Sequence, residues 1–184
     1  MGSLPEIFKK VISFLEKEGI DYLVIGGVAM SVQVFPRMTQ DVDVCVSIKK
    51  KDVKDFLRKA GEYGFTFDEK EALKSVKETG AFKVSRNGLR VDFIILSTDF
   101  EKTALSRGQR LEIFGTKALF PTPEDLILLK VVPHRAIDVA DIENIAKKFK
   151  GKLDEKYLVS WAQKLSDEAE NLKIYNEVKR ILGK

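Results

Sequence analysis

Asp41-Val42-Asp43-Val44-Cys45-Val46-Ser47 is the stretch on which the fold of this chain turns. Aspartate and valine alternate with a period of two, the spacing of a β-strand, whose successive side chains point to opposite faces. Asp41 and Asp43 therefore share one face, and Cys45 lies on it with them. Two neighbouring carboxylates repel, so the arrangement is costly unless water or a cation screens it. A wet strand end is the plain explanation, and a divalent cation is the functional one.

Working outward, the flanks read as a mixed α/β unit. Ser3-Leu4-Pro5-Glu6 has the form of a capping box. Leu4, Ile7, Phe8, Val11, Ile12 and Leu15 follow at helical spacing, and Gly19 ends that helix. Tyr22 to Ile25 reads as a buried strand running into Gly26-Gly27. A short helix is expected over Val28 to Val34, stopped ahead of Pro36. Beyond the aspartate strand, helices are expected at Asp52 to Ala60 and Glu69 to Lys77. The clearest hairpin pairs Phe82 to Arg86 with Leu89 to Ile95 across Asn87-Gly88, the preferred type I′ pair. A smaller hairpin is expected around Gly115, between Leu111-Ile113 and Ala118-Phe120.

From Thr122 the pattern becomes helical. Thr122-Pro123-Glu124-Asp125 supplies an N-cap, a first-turn proline and two first-turn acids ahead of Leu126 to Lys130. Helices over Ile137 to Phe149, Asp154 to Leu165 and Leu172 to Leu182 complete the chain. The expected organisation is an α/β core over residues 1–121 and a helical C-terminal part over 122–184, packed on the core or part of one single domain.

At 184 residues the chain can bury a real core, and 44% hydrophobic with 33% charged residues is the balance of a soluble globular protein. No apolar run approaches the roughly 18 residues that span a bilayer, and the start carries no secretory pattern. A cytoplasmic location without membrane association is the expectation. One cysteine, Cys45, and one histidine, His134, exclude an intramolecular disulfide and a conventional structural zinc site. Any metal here is held mainly by oxygen, which suits Mg²⁺ or Mn²⁺. Lysines cluster at 49–51 and at 147, 148, 150 and 152; a net charge of +4 leaves room for a weak attraction to polyphosphate or RNA.

Gly26-Gly27 lets the backbone approach a ligand, and the following helix start offers N–H groups to phosphate. Asp92, between Val91 and Phe93 on a hairpin arm, is an expensive carboxylate unless it is ligated. Three carboxylates from two strands can hold two metals, one activating an oxygen and one neutralising phosphates.

In this order, Val24-Ile25-Gly26-Gly27, then Asp41-Val42-Asp43-Val44, then Asp92 within Arg90-Val91-Asp92-Phe93, the chain resembles the DNA polymerase β-like nucleotidyltransferase superfamily. The segments Arg37-x-Thr39-x-Asp41 and Pro123-Glu124-Asp125-Leu126 through Lys130, Arg135, Asp138 and Asp141-Ile142 resemble its AbiEii-type and other minimal members. The resemblance spans roughly residues 20–146. It implies the superfamily's α/β fold, a small mixed sheet flanked by helices. It also implies transfer of an NMP group from an NTP to a hydroxyl of RNA, protein or a small molecule. Asp41, Asp43 and Asp92 would be the catalytic metal ligands, with Asp92 also the base for the incoming hydroxyl. Gly26 and Gly27 would cradle the triphosphate, Arg37 and Thr39 would line the nucleotide mouth, and Lys130 and Asp138 would serve nucleotide binding. Lys130 can equally snorkel from an apolar helix, and Arg135, Asp138 and Asp141 can equally form a local ion-pair set at a helix start. Many members carry serine where this chain has Gly27, which leaves only backbone N–H groups there. The alternative function is a binding or regulatory module, such as one half of a toxin–antitoxin pair with an antitoxin-like protein partner. The chain is expected as a monomer or a dimer.

Overall fold

Residues 2–36 and 38–183 are described by a computed structural model of the chain. Helix α1, Leu4–Lys17, opens with the capping box in place. The Ser3 hydroxyl accepts the Glu6 N–H, and Glu6 accepts the Ser3 N–H. Its stripe of Ile7, Phe8, Val11, Ile12, Phe14 and Leu15 is buried. Strand β1, Tyr22–Ile25, passes without a loop into α2, Gly26–Gln33, so this helix starts two residues earlier than the sequence indicates. Strand β2, Asp41–Val46, follows, and a 3-10 turn at Lys50–Asp52 leads into α3, Val53–Glu62, and α4, Glu69–Thr79.

Strands β3, Ala81–Arg86, and β4, Leu89–Ile95, form the hairpin across Asn87-Gly88. Both turn residues have positive φ, 52° and 81°, as a type I′ turn requires. The four strands make a mixed sheet of order β1-β2-β4-β3, with β2 and β4 parallel and the outer pairs antiparallel. The two central strands are thus the aspartate strand and the second hairpin arm.

One face of this sheet is apolar. Val42, Val44 and Val46 stand in register with Val91, Phe93 and Ile95, all buried. Phe56 of α3 meets Phe82 at 5.3 Å and Phe93 at 4.9 Å between ring centroids, both edge-on, and Phe14 of α1 meets Phe56 at 5.1 Å. Helices α1 and α3 therefore seal that face and leave the other to β2's aspartates.

Helix α5, Asp99–Ser106, is an element that the hydrophobic pattern did not announce. Its capping box is complete, with Thr98 Oγ1 accepting the Glu101 N–H and Glu101 accepting the Thr98 N–H. Strands β5, Gln109–Ile113, and β6, Thr116–Phe120, make a second, two-stranded sheet across Phe114-Gly115.

The chain forms two compact units, the first ending at Phe120 and the second beginning at Pro121. The second contains α6, Pro123–Val131, α7, Ala136–Lys148, α8, Glu155–Glu168, and α9, Leu172–Ile181. Thr122 caps α6 as its sequence indicates, accepting the Asp125 N–H. Asp125 is fully buried, where Thr122 Oγ1 and the Tyr157 hydroxyl both donate to its carboxylate. Among the described residues no helix is long and apolar enough to cross a membrane.

Candidate active site

The parallel register of β2 and β4 pairs Asp41 with Arg90 and Asp43 with Asp92. Paired residues on adjacent strands project to the same side, about 4.8 Å apart across the ladder. Asp41, Asp43, Arg90 and Asp92 therefore stand together on the face opposite the phenylalanine cluster. The three aspartates expected from the sequence thus lie on one face of two adjacent strands.

Gly26 and Gly27 border this group, and each makes room for a particular neighbour. Gly26 has φ +65°, and a Cβ there would stand 2.0 Å from Asp43 Oδ2. A Cβ on Gly27 already faces Thr39, whose Cβ and Oγ1 lie 2.7 Å from the position of an added Cβ. A side chain on residue 26 would push the carboxylate away, and a serine on residue 27 would collide with Thr39. Thr39 Oγ1 also donates to the Asp41 carbonyl at 3.2 Å, tying the loop to the first residue of β2. Arg37, assigned to the nucleotide mouth from the sequence, lies outside the described residues.

Asp92 is the most constrained carboxylate. Its Oδ1 is buried with no hydrogen-bond partner, while Oδ2 lies 3.4 Å from Arg90 Nε. Burial pushes its pKa above the ordinary carboxylate value, against the opposing pull of the Arg90 and Lys83 charges. Lys83, the register partner of Asp92 on β3, is exposed. Arg90 also forms an ion pair with Asp41 Oδ2, so its guanidinium bridges two of the three carboxylates. Cys45, on the same face, is buried, and burial pushes its thiol pKa up. That makes it a small core residue and no nucleophile.

Carboxylate donors and an orphaned buried oxygen fit a hard divalent cation. In their present positions, among the described residues, no three His, Cys, Asp or Glu side chains are gathered into a group that could hold one. Arg90 stands between the carboxylates instead. Sequence reasoning overlooked Arg90 as a site residue. The signal was available, because Arg90 precedes Asp92 by two residues and shares its face, just as Asp41 precedes Asp43.

The remaining sequence candidates belong to the second unit. Lys130 is buried, with Nζ 2.7 Å from Asp141 Oδ2 and 3.5 Å from Asp138 Oδ1. Asp138 is buried and accepts from Arg135 Nε at 2.6 Å and from the Arg135 N–H at 3.2 Å. His134, at φ 47°, faces Glu177 at 3.9 Å. These groups form a local ion network around the α6–α7 junction.

Solved structures share the fold at low sequence identity. The antibiotic-resistance factor ANT(2'')-Ia, solved in complex with adenylyl-2''-tobramycin, aligns with a TM-score of 0.54 and 12% identity, covering 97% of each chain. The lincosamide antibiotic adenylyltransferase LnuA, solved with lincomycin, gives 0.52 and 12%, covering 78% of this chain and 96% of its own. JHP933 from Helicobacter pylori gives 0.50 and 12%, over 97% of this chain and 90% of its own. No curated protein matches the chain. The family described as nucleotidyltransferase of unknown function (DUF6036) matches residues 3–181. With the nucleotidyltransferase fold of these neighbours and that match over nearly its whole length, the chain belongs to the DUF6036 family of nucleotidyltransferases.

Proposed function

We propose that this protein transfers an NMP group from an NTP to an acceptor hydroxyl, the bond between the α- and β-phosphates breaking with release of pyrophosphate, using Asp41, Asp43 and Asp92. The observation that carries the proposal is the β2–β4 register. It sets Asp43 beside Asp92, with Asp41 on the same face, and leaves Asp92 Oδ1 buried and unpartnered. Such a group is costly to retain without a ligand. A divalent cation bound there, Mg²⁺ or Mn²⁺, would offset the charge of the triphosphate and of the attacking oxygen.

The chain's own residues have distinct tasks in this scheme. Asp41 and Asp43 would hold the cation, and Gly26 gives the Asp43 carboxylate its space. Asp92 completes the ligand set and accepts the proton of the acceptor hydroxyl. Backbone N–H groups at the start of α2 face the triphosphate, with Thr39 beside them, and Arg37 serves the nucleotide mouth. Lys130 and Asp138 are carried as nucleotide-binding residues on the resemblance alone. The acceptor belongs to RNA, a protein or a small molecule. ANT(2'')-Ia and LnuA set a precedent for small molecules in this fold.

The test is transfer of label from α-labelled NTP to candidate acceptors with and without Mg²⁺. Wild type is expected to label an acceptor only with the cation, and Asp43→Asn is expected to lose at least about a hundredfold of that rate. Labelling that survives Asp43→Asn sinks the proposal. A second reading, nucleotide binding without transfer in a regulatory or antitoxin-partnered module, is favoured by Arg90 bridging Asp41 and Asp92. Saturable NTP binding with no labelled acceptor would select it.

A further inference from the structure

The face that carries the three aspartates also carries a cation to which the scheme above gives no task. Arg90 forms an ion pair with Asp41 Oδ2 and places Nε 3.4 Å from Asp92 Oδ2. It thus takes one oxygen from each of two carboxylates that lie on different strands. Its side chain is 45% exposed, against 32% for Asp41 and 22% for Asp92. The guanidinium is therefore the outermost member of the cluster and can leave it without opening the core.

We propose that Arg90 is the built-in counter-ion of the carboxylate cluster, and that a divalent cation displaces it toward the phosphates of the bound nucleotide. The inference rests on the nucleotidyl-transfer reading and extends it to a residue with two alternating partners. The electrostatics favour the exchange. A divalent cation drawn to these carboxylates would compete with Arg90 for Asp41 and Asp92 and would repel a guanidinium held among them. Once released, Arg90 still projects from the same strand face, two residues from Asp92 and paired in register with Asp41. A planar fork of donors there matches a phosphate.

Lys83 does not share this role. It is exposed, and its influence on Asp92 is through charge alone, with no ion pair among the described residues. Arg90 is consequently a positioning residue in one state and a phosphate contact in the other. The two states make opposite demands on a substitution, which a merely structural salt bridge does not.

The experiment measures two affinities on the full chain. Mn²⁺ binding without nucleotide is followed by electron paramagnetic resonance of the free ion. Binding of a non-hydrolysable NTP analogue at saturating Mn²⁺ is followed by calorimetry. Arg90→Gln is expected to bind Mn²⁺ about threefold more tightly, since an exposed ion pair no longer competes. The same variant is expected to bind the analogue about tenfold more weakly, for want of a charged contact. Arg90→Lys, which keeps the charge but not the fork, is expected between wild type and Arg90→Gln in both. Circular dichroism shows whether each variant is folded, and if Arg90→Gln is not, Arg90→Lys decides by the same signs.

Mn²⁺ affinity unchanged or weakened in the variants overturns the inference while leaving the transfer reading intact. So does analogue binding that ignores residue 90. Mn²⁺ binding that is absent from all three proteins, or that survives Asp43→Asn in the wild-type background, overturns the transfer reading and this inference together.

Discussion

A methyl group added at Gly26 would stand 2.0 Å from Asp43 Oδ2, and φ there is +65°. Gly26→Ala is therefore expected to displace the carboxylate and to cost about 1–3 kcal/mol in backbone strain, measured by urea unfolding. Mn²⁺ affinity should fall with it, and a variant with wild-type stability and Mn²⁺ binding would show that Asp43 does not depend on this glycine. Asp92 gives the opposite sign. Its pKa is raised in the fold, so the ionised form opposes folding at neutral pH. Asp92→Asn, which removes that charge, is expected to unfold at a higher temperature than wild type without divalent cation while losing Mn²⁺ affinity. A lower melting temperature would mean that the Arg90 contact outweighs the burial cost. At this scale the aspartates were legible because their spacing and neighbours are local. The shared face of Arg90 and Asp92 was legible in the same way, but the pairing of Arg90 with Asp41, 49 residues away, was not. The sequence assigns Gly26 and Gly27 to the phosphates, and the fold adds that a Cβ at either position would meet Asp43 or Thr39.

Strands and helices owe their places to features of different range. The Asn87-Gly88 hairpin and the caps at Ser3 and Thr122 were readable because each signal is complete within four residues. Helix α5 escaped because only Phe100 and Ala104 of its eight residues are buried, too few for a periodic stripe. Its Thr98-to-Glu101 capping box was the signal to use. Glu101→Ala is expected to cost about 1 kcal/mol, read by denaturant unfolding, because it frees the Thr98 and Ser97 N–H groups. A change under about 0.3 kcal/mol would show that α5 holds without its box. In α7, burial raises the Asp138 pKa, yet hydrogen bonds from Arg135 and the Lys130 charge lower it further, and the net value lies below the ordinary one. A depressed folded pKa contributes stability above the unfolded value of about 3.9 and loses it as pH falls through the folded value. Stability is therefore expected to drop below about pH 4, and Asp138→Asn should be less stable at neutral pH with a shallower acid limb. Equal acid limbs in both proteins would count against this network.

For the whole molecule, the mixed α/β character was readable from alternating strand and helix patterns, but the parallel pairing of β2 with β4 was not. Strand register between segments about 50 residues apart is set by tertiary packing, here the Phe56–Phe82–Phe93 cluster beneath Val42, Val44 and Val46. That register is what brings three separately ordinary aspartates onto one face of the sheet. The nucleotidyltransferase family and fold agree with what Gly26-Gly27, Asp41-Val42-Asp43 and Asp92 indicate in order. The second unit was readable as helices, while its buried Lys130–Asp138–Asp141 network became visible only in three dimensions. The most direct measurement is anomalous scattering from crystals grown with Mn²⁺ and a non-hydrolysable NTP. Manganese is expected among the carboxylates of Asp41, Asp43 and Asp92, with the triphosphate beside the start of α2 and Arg90 turned onto it. Nucleotide bound with no manganese on that face, or manganese bound elsewhere, would contradict nucleotidyl transfer on these three residues.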